Sequence, residues 1–282
     1  MTQNDALTIV KPMIYLSNRR TMYIGRLKRL IDHSNGLTAL IISLDEELAL
    51  IDCNGVQQGV SKSFLIPAGA HVTLDTRDSI IVWCFLDTIG QDLATLIPNM
   101  ASSMRIDDRS DCFSGIAGEA QLIHQALSLF KNRVSAEVAF SMLDKWVGFE
   151  ASVTVGIETS GTSGAQFVPD KRVEMAISLI KKNYSENVSI DEIARAVELS
   201  VPRLIQLFKQ STGIPIRRFR LCHRIYVTLI KLSEGMMLTE AVLDAGFSDY
   251  AHFSRIFKEL SSVKPSKILS SKNIVDFRVL PD

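Results

Sequence analysis

A short helical pattern occurs twice in the C-terminal part of this 282-residue chain, and few folds accommodate such a repeat. Ser189-Ile190-Asp191-Glu192 has the spacing of a capping box, in which Ser189 satisfies an early helix N–H while Glu192 reaches back to the cap. A helix over Ile190–Val197 is expected next, then Glu198-Leu199-Ser200, then a second helix with Leu204, Leu207 and Phe208 as its apolar stripe. About 48 residues later, Leu238–Ala245 repeats the first helix and Gly246-Phe247-Ser248 repeats the turn. Phe253, Ile256 and Phe257 repeat the stripe, and both stripes end in Phe-Lys. Helix, tight turn and helix is a plan whose second helix can lie in a DNA major groove. The same spacing also fits a plain helical bundle.

A groove-facing surface must be polar or small, because bases are read through hydrogen bonds and methyl contacts. The candidates in the first unit are Ser200, Val201, Pro202, Arg203, Gln206, Lys209 and Gln210. In the second they are Ser248, Asp249, Tyr250, His252, Ser254, Arg255 and Lys258. Between the units, Ile216–Glu234 is predicted to be one long amphipathic helix carrying Arg217, Arg218, Arg220 and Arg224, with Gly235 as its stop. A rigid helix there fixes the distance between two reading heads. Net charge is zero overall but uneven: residues before Gln166 carry 13 basic against 18 acidic side chains, and the remainder 18 against 13. A mildly basic C-terminal half suits a phosphate-backed partner.

The N-terminal half has a different period. Short apolar runs at Thr21–Gly25, Ala39–Leu44, Leu48–Asp52, Ser63–Ile66, His71–Leu74 and Ile80–Leu86 are separated by turn signals such as Asn54-Gly55, Pro67-Ala68-Gly69 and Arg77-Asp78. This spacing predicts an antiparallel barrel or sandwich. From Gly118 to Gly148 the period becomes helical, with Asn132-Arg133 as a turn, so a helical hairpin is expected. Its stripes either pack on the chain's own barrel or pair with a second copy. Residues 156–168 include GIETSGTSGAQ, which reads as a linker between a first domain over 1–155 and a second over 169–282.

Four scattered cysteines, Cys53, Cys84, Cys112 and Cys222, form no CxxC pair and fit reduced cytoplasmic thiols. No apolar run is long enough to span a bilayer, and the N-terminus lacks signal-peptide character. A cytoplasmic protein without a membrane partner is expected.

The stretch from Ala245 to Lys258 (AGFSDYAHFSRIFK), followed by Lys264-Pro265-Ser266, resembles the signature of the AraC/XylS family of bacterial transcription activators. Leu199-Ser200, Leu204, Leu207-Phe208-Lys209, Gly213 and Phe219 are similar to that family's first helix-turn-helix, and Arg224 stands where its linking helix usually has an arginine. The resemblance covers about Pro169 to Leu269. It implies an all-α domain with two recognition helices in successive major grooves of promoter DNA, and contact with RNA polymerase. Phe64-Leu-Ile-Pro-Ala-Gly-Ala-His71 and Phe85-Leu86-Asp87 resemble the cupin-like sensor domain of one branch of the family. That implies an α+β two-domain chain, a homodimer through the N-terminal domain and control by a small-molecule effector.

This sequence departs from the family pattern in several places. Ile205 cannot hydrogen-bond a base and either meets a thymine methyl or packs internally. Met237 replaces a capping Ser or Asn, and Ser262 a glycine. Metal-binding cupins need a His-x-His pair, a Glu and a later His, whereas this half offers only His33 and His71 among the barrel runs. No catalytic set and no cofactor is expected. The alternatives are a cupin-type enzyme with a fused helical domain, and a regulator controlled only by protein–protein contacts.

Overall fold

The computed structural model describes residues 11–27, 29–34, 36–87, 92–107, 110–148, 170–186, 188–261, 263–269 and 275–281. The expected linker over 156–168 lies outside the described residues.

Among the described residues eleven strands precede the first long helix: β1 (Met13–Leu16), β2 (Thr21–Arg26), β3 (Leu30–Ser34), β4 (Ala39–Ser43), β5 (Leu48–Ile51), β6 (Gln57–Ser61), β7 (Ser63–Ile66), β8 (His71–Asp75), β9 (Ile80–Phe85), β10 (Met100–Asp107) and β11 (Ser110–Ile116). They form two sheets and not one closed barrel. The larger has the order β10-β11-β7-β4-β9-β2-β1-β12, where β12 (Asp276–Val279) comes from the C-terminus; the smaller is β3-β8-β5-β6.

The strands β7, β4, β9, β2 and β1 of the larger sheet are buried on both faces. Ile14, Tyr23, Ile41, Phe64, Ile81 and Trp83 point toward Leu30, Leu50, Val72 and Leu74 of the smaller sheet. Met22, Ile24, Leu40, Ile42, Leu65 and Val82 point the other way, onto helices. Double burial explains why Ile80–Leu86 reads as an unbroken apolar run and not as an alternation.

Those helices are α1 (Asp92–Leu96), α2 (Glu119–Asn132) and α3 (Ala136–Val147). Arg133 makes the α2–α3 turn in the left-handed region, with φ 47°. Of the two packings expected for this hairpin, the chain adopts the one on its own sheet: Leu122, Leu129, Phe130, Phe140, Leu143 and Trp146 are all buried there. Arg20, itself buried, holds the same face through a two-pronged ion pair with Asp92, both contacts 2.7 Å, and a further contact to Asp144. The buried Asp92 carboxylate and the partly exposed Asp144 carboxylate together satisfy the planar guanidinium without unpaired charge.

The C-terminal half contains α4 (Lys171–Lys182), α5 (Ile190–Ala196), α6 (Val201–Thr212), α7 (Ile216–Ser233), α8 (Leu238–Asp244), α9 (Tyr250–Ser261) and α10 (Pro265–Ile268). The expectation of an all-α half needs one correction, because β12 leaves this half and joins the larger sheet beside β1, in parallel. The edge of β1 carries backbone groups that require partners, and Val275 and Phe277 alternate with Asp276 and Arg278 in strand fashion. Among the described residues no helix is long and apolar enough to cross a membrane.

Candidate nucleic-acid interface and interdomain cavity

Each unit starts from local chemistry. Ser189 caps α5: its Oγ accepts from Glu192 N–H at 3.1 Å, and the Glu192 carboxylate accepts from Ser189 N–H at 2.7 Å. Hydrogen bonding to the charged form holds the Glu192 carboxyl below its ordinary range. α8 begins at Met237, which is 63% exposed and makes no side-chain cap.

The two turns open in the same way. Leu199 N–H bonds the Ala194 carbonyl, and Phe247 N–H the Val242 carbonyl. The left-handed position is Glu198 in the first turn (φ 55°) and Gly246 in the second (φ 86°). The first helices of the two units are therefore 48 residues apart, Glu198 to Gly246. The second helices are 49 apart: buried Leu204 and Phe208 match buried Phe253 and Phe257. The second turn holds one extra residue. Thr212 and Ser261 keep that register at the helix ends. Thr212 Oγ1 donates to the Phe208 carbonyl at 2.8 Å, and Ser261 Oγ to the Phe257 carbonyl at 2.6 Å.

This offset sorts the candidate residues. Gln206 matches Arg255, Lys209 matches Lys258, and Ile205 matches Ser254. Pro202, Arg203, Gln206, Lys209 and Gln210 are exposed along α6, while Val201 is half-buried at its start. Ile205 is 45% exposed, so it does not pack internally. Arg203 Nη1 donates to Gln206 Oε1 at 3.0 Å, one turn along the same face. On α9, Tyr250, Arg255 and Lys258 are exposed, and His252 and Ser254 half-buried.

Ser200 occupies the N-cap of α6 without a side-chain bond. Asp249 is the corresponding residue of α9 and caps it: Oδ1 accepts from His252 N–H at 2.7 Å, and Ser248 Oγ lies 3.1 Å from Oδ2. Those bonds, the backbone one first, hold the Asp249 carboxyl below its ordinary range. Asp249 therefore has a helix to terminate as well as a place on the candidate face.

Two arginines of α7 turn inward. Arg220 Nη2 donates to the Val188 carbonyl, and Arg224 Nε to the Tyr184 carbonyl at 3.0 Å, so both brace the loop between α4 and α5. A Cβ on Gly246 would stand 3.0 Å from the Tyr184 carbonyl oxygen and 3.1 Å from Arg224 Nε. Arg224 thus joins the first unit to the turn of the second. Arg217 remains exposed, and Arg218 lies 3.9 Å from Glu259.

A cavity of about 160 Å³ opens between the sheets and the helical half. Ile14, Tyr23, Trp83 and Phe85 line it on one side, and Tyr226, Leu229, Phe257 and Leu260 on the other. Its polar rim contains Arg19, paired with Asp87 at 2.6 Å, and Lys181, which donates to Asn18 Oδ1 at 2.7 Å. His223 lines the same space; burial first, and then Lys181, push its pKa down to about 4, so it is neutral at pH 7. Burial pushes the neighbouring Cys222 thiol up to about 12. The sequence reading assigned no residue to this cavity. Its one local signal is that α7 carries apolar or aromatic residues on more than one face, including Phe219, Tyr226 and Leu229. Among the described residues no group of three or more His, Cys, Asp or Glu side chains is placed to hold a metal ion.

Comparison with known proteins falls on the same helices. The family model for a helix-turn-helix domain matches residues 193–271. The arabinose operon regulatory protein of Escherichia coli K12 is 35% identical over 100 residues, covering 35% of this chain and 34% of that protein. This C-terminal domain is a helix-turn-helix domain of the AraC/XylS type. The arabinose operon regulatory protein of Salmonella typhimurium is 34% identical over 100 residues, 36% of its length. The chain thus spans about a third of the length of these relatives. The whole architecture is similar to that of ToxT from Vibrio cholerae strain SCE256. The apo structure superposes with a TM-score of 0.58 at 13% identity, covering 89% of this chain and 97% of that one. The ToxT structure bound to an unsaturated fatty acid superposes with a TM-score of 0.53 at 14% identity. At these identities the likeness is one of fold, and it extends across both halves of the chain.

Proposed function

We propose that this chain is a sequence-specific DNA-binding transcription regulator whose α6 and α9 enter successive major grooves of promoter DNA. The observation that carries this reading is the duplicated unit itself. Two helices with equivalent cores and terminal hydroxyl bonds expose polar faces, and α7, about 27 Å long at 1.5 Å per residue, runs between the two units. Half-sites one helical turn apart need about 34 Å between groove centres, which the width of the flanking helices can supply. The DNA-contacting residues in this reading are the exposed candidates of α6 and α9, with Gln206 and Arg255 as base readers and Lys209 and Lys258 on phosphates. The N-terminal unit over 1–155 is the sensor, and residues 169–282 are the DNA-binding half.

The effector site in this reading is the interdomain cavity. Its walls are largely apolar and its rim carries Arg19 and Lys181, which suits a small amphipathic acid. Solved ToxT structures hold an unsaturated fatty acid and a naphthalenyl butenoic acid, which supports that class of ligand here. Activation through RNA polymerase and a homodimer through the N-terminal unit complete the reading, and the family resemblance supports both. Leu143 is fully buried, so a dimer surface on the hairpin would use its outer face around Val138, which is 48% exposed.

The test is selection of bound duplexes from a random library by the full chain, followed by titration at several salt concentrations. A recovered consensus with two half-sites, and affinity that falls steeply with salt through counterion release, are expected. Failure to enrich any sequence at low salt would sink the proposal.

A further inference from the structure

The C-terminal strand belongs to one half of the molecule by sequence and to the other by hydrogen bonding. β12 pairs with β1 so that Met13, Ile14, Tyr15 and Leu16 face Asp276, Phe277, Arg278 and Val279. Asp276 N–H donates to the Pro12 carbonyl at 2.9 Å, and Leu280 N–H to the Leu16 carbonyl at 2.8 Å. The two-residue period of a parallel ladder places Arg278 N–H between them. The Asp276 carboxylate also accepts from Arg133 Nη1 at 2.8 Å, and Arg133 Nη2 donates to the Lys11 carbonyl at 2.7 Å. One arginine at the α2–α3 turn therefore holds both strands. Val275 is buried, and Phe277 packs into the core shared by the sheets and α7–α9.

Further contacts between the halves fall at the far ends of the recognition helices. Leu260, near the end of α9, lies against Gly36, where a Cβ would come within 2.4 Å of Leu260 Cδ2. Gly213, which ends α6, lies near Ala68. The body docked at those ends is the half with 13 basic against 18 acidic side chains. Seated beside α9, it opposes the approach of phosphates. The ladder that holds it there is a four-residue strand at a sheet edge, the kind of element that opens locally at low cost. Ile14 lines the cavity and is registered with Phe277, so the cavity and the ladder share a strand.

We propose that residues 275–281 are an intramolecular clasp: paired with β1 they hold the DNA-binding half against the N-terminal unit, and their release frees α6 and α9 for duplex DNA. This rests on the DNA-binding reading above. Three forms of the chain test it against the duplex that the wild-type chain selects, with small-angle X-ray scattering as a readout that needs no DNA. The first is a chain ending at Ile274 and the second is Arg278→Pro, which removes the central ladder donor. Both are expected to show a larger radius of gyration and to bind about 5-fold tighter or more. The third is Leu16→Cys with Val279→Cys in a Cys53→Ser background, which locks the ladder when oxidised. It is expected to bind more weakly when oxidised and to recover with reductant.

Unchanged scattering in the first two forms overturns the clasp, as does unchanged or weaker DNA binding. If those forms do not fold, the locked form decides, and equal affinity in its oxidised and reduced states overturns the clasp. A wild-type chain that selects no duplex while the released forms still expand would refute the DNA-binding reading and leave the clasp's mechanical half standing.

Discussion

The two helix-turn-helix units share a plan but are held in place differently. The first has its own core, in which Val173, Ile177, Ile193, Leu204, Phe208 and Phe219 pack together. The core of the second, with Val242, Phe247, Phe253 and Phe257, is continuous with the space between the sheets. The first is a small domain resting on a neighbour, whereas the second is packed into that neighbour. Their turns differ in the same direction. Glu198 takes a left-handed conformation in the open, while Gly246 takes it against Tyr184 and Arg224, which a Cβ would crowd. The lesson is that one motif can be stabilised by local chemistry in one copy and by its surroundings in the other.

The largest expected effect tests that contrast at the turns. Gly246→Ala adds a Cβ at positive φ against a carbonyl oxygen 3.0 Å away and should cost about 2 kcal/mol or more. Glu198→Gly removes a strained residue and should be neutral or stabilising by up to about 1 kcal/mol. Urea denaturation followed by circular dichroism measures both, and equal losses would erase the distinction.

Next in size is the division of reading between the two helices. Arg255→Ala should weaken binding to the selected duplex by about 1–3 kcal/mol and spare scrambled DNA, because arginine can bond guanine through two parallel contacts. Gln206→Ala, at the matching position of α6, should cost less; Arg203 already occupies its oxygen. Fluorescence titrations on both duplexes decide the matter. An equal loss on cognate and scrambled DNA would make Arg255 a phosphate contact.

The smallest effects concern the caps. Asp249→Ala removes a bonded cap and should lower the denaturation midpoint, whereas Ser200→Ala, at an N-cap with no side-chain bond, should leave it unchanged. Met237→Ser supplies the missing cap of α8 and should raise stability by roughly 0.5–1 kcal/mol. A loss from Ser200→Ala as large as that from Asp249→Ala would contradict the geometry of the α6 start.

What was legible in the sequence is what neighbouring residues decide among themselves. The capping box at Ser189, the stop at Gly235, the turn at Arg133 and the double helix-turn-helix follow from caps, glycines and periodicity, which act within a few residues. The strand runs from Thr21 to Leu86 were legible for the same reason, since each carries enough apolar side chains to require burial. The tertiary structure alone decided what depends on residues far apart. β10 and β11, with the polar sequences MASSMRID and SDCFSGI, become strands because β7 offers an edge to pair with. Asp276–Val279 becomes a strand only because β1 offers the opposite one. The sheets stay two and not one ring, and the cavity exists only where α7 and α9 meet β1, β2 and β9. Backbone pairing and cavity shape are set by which surfaces meet, and no local pattern of residues records that meeting.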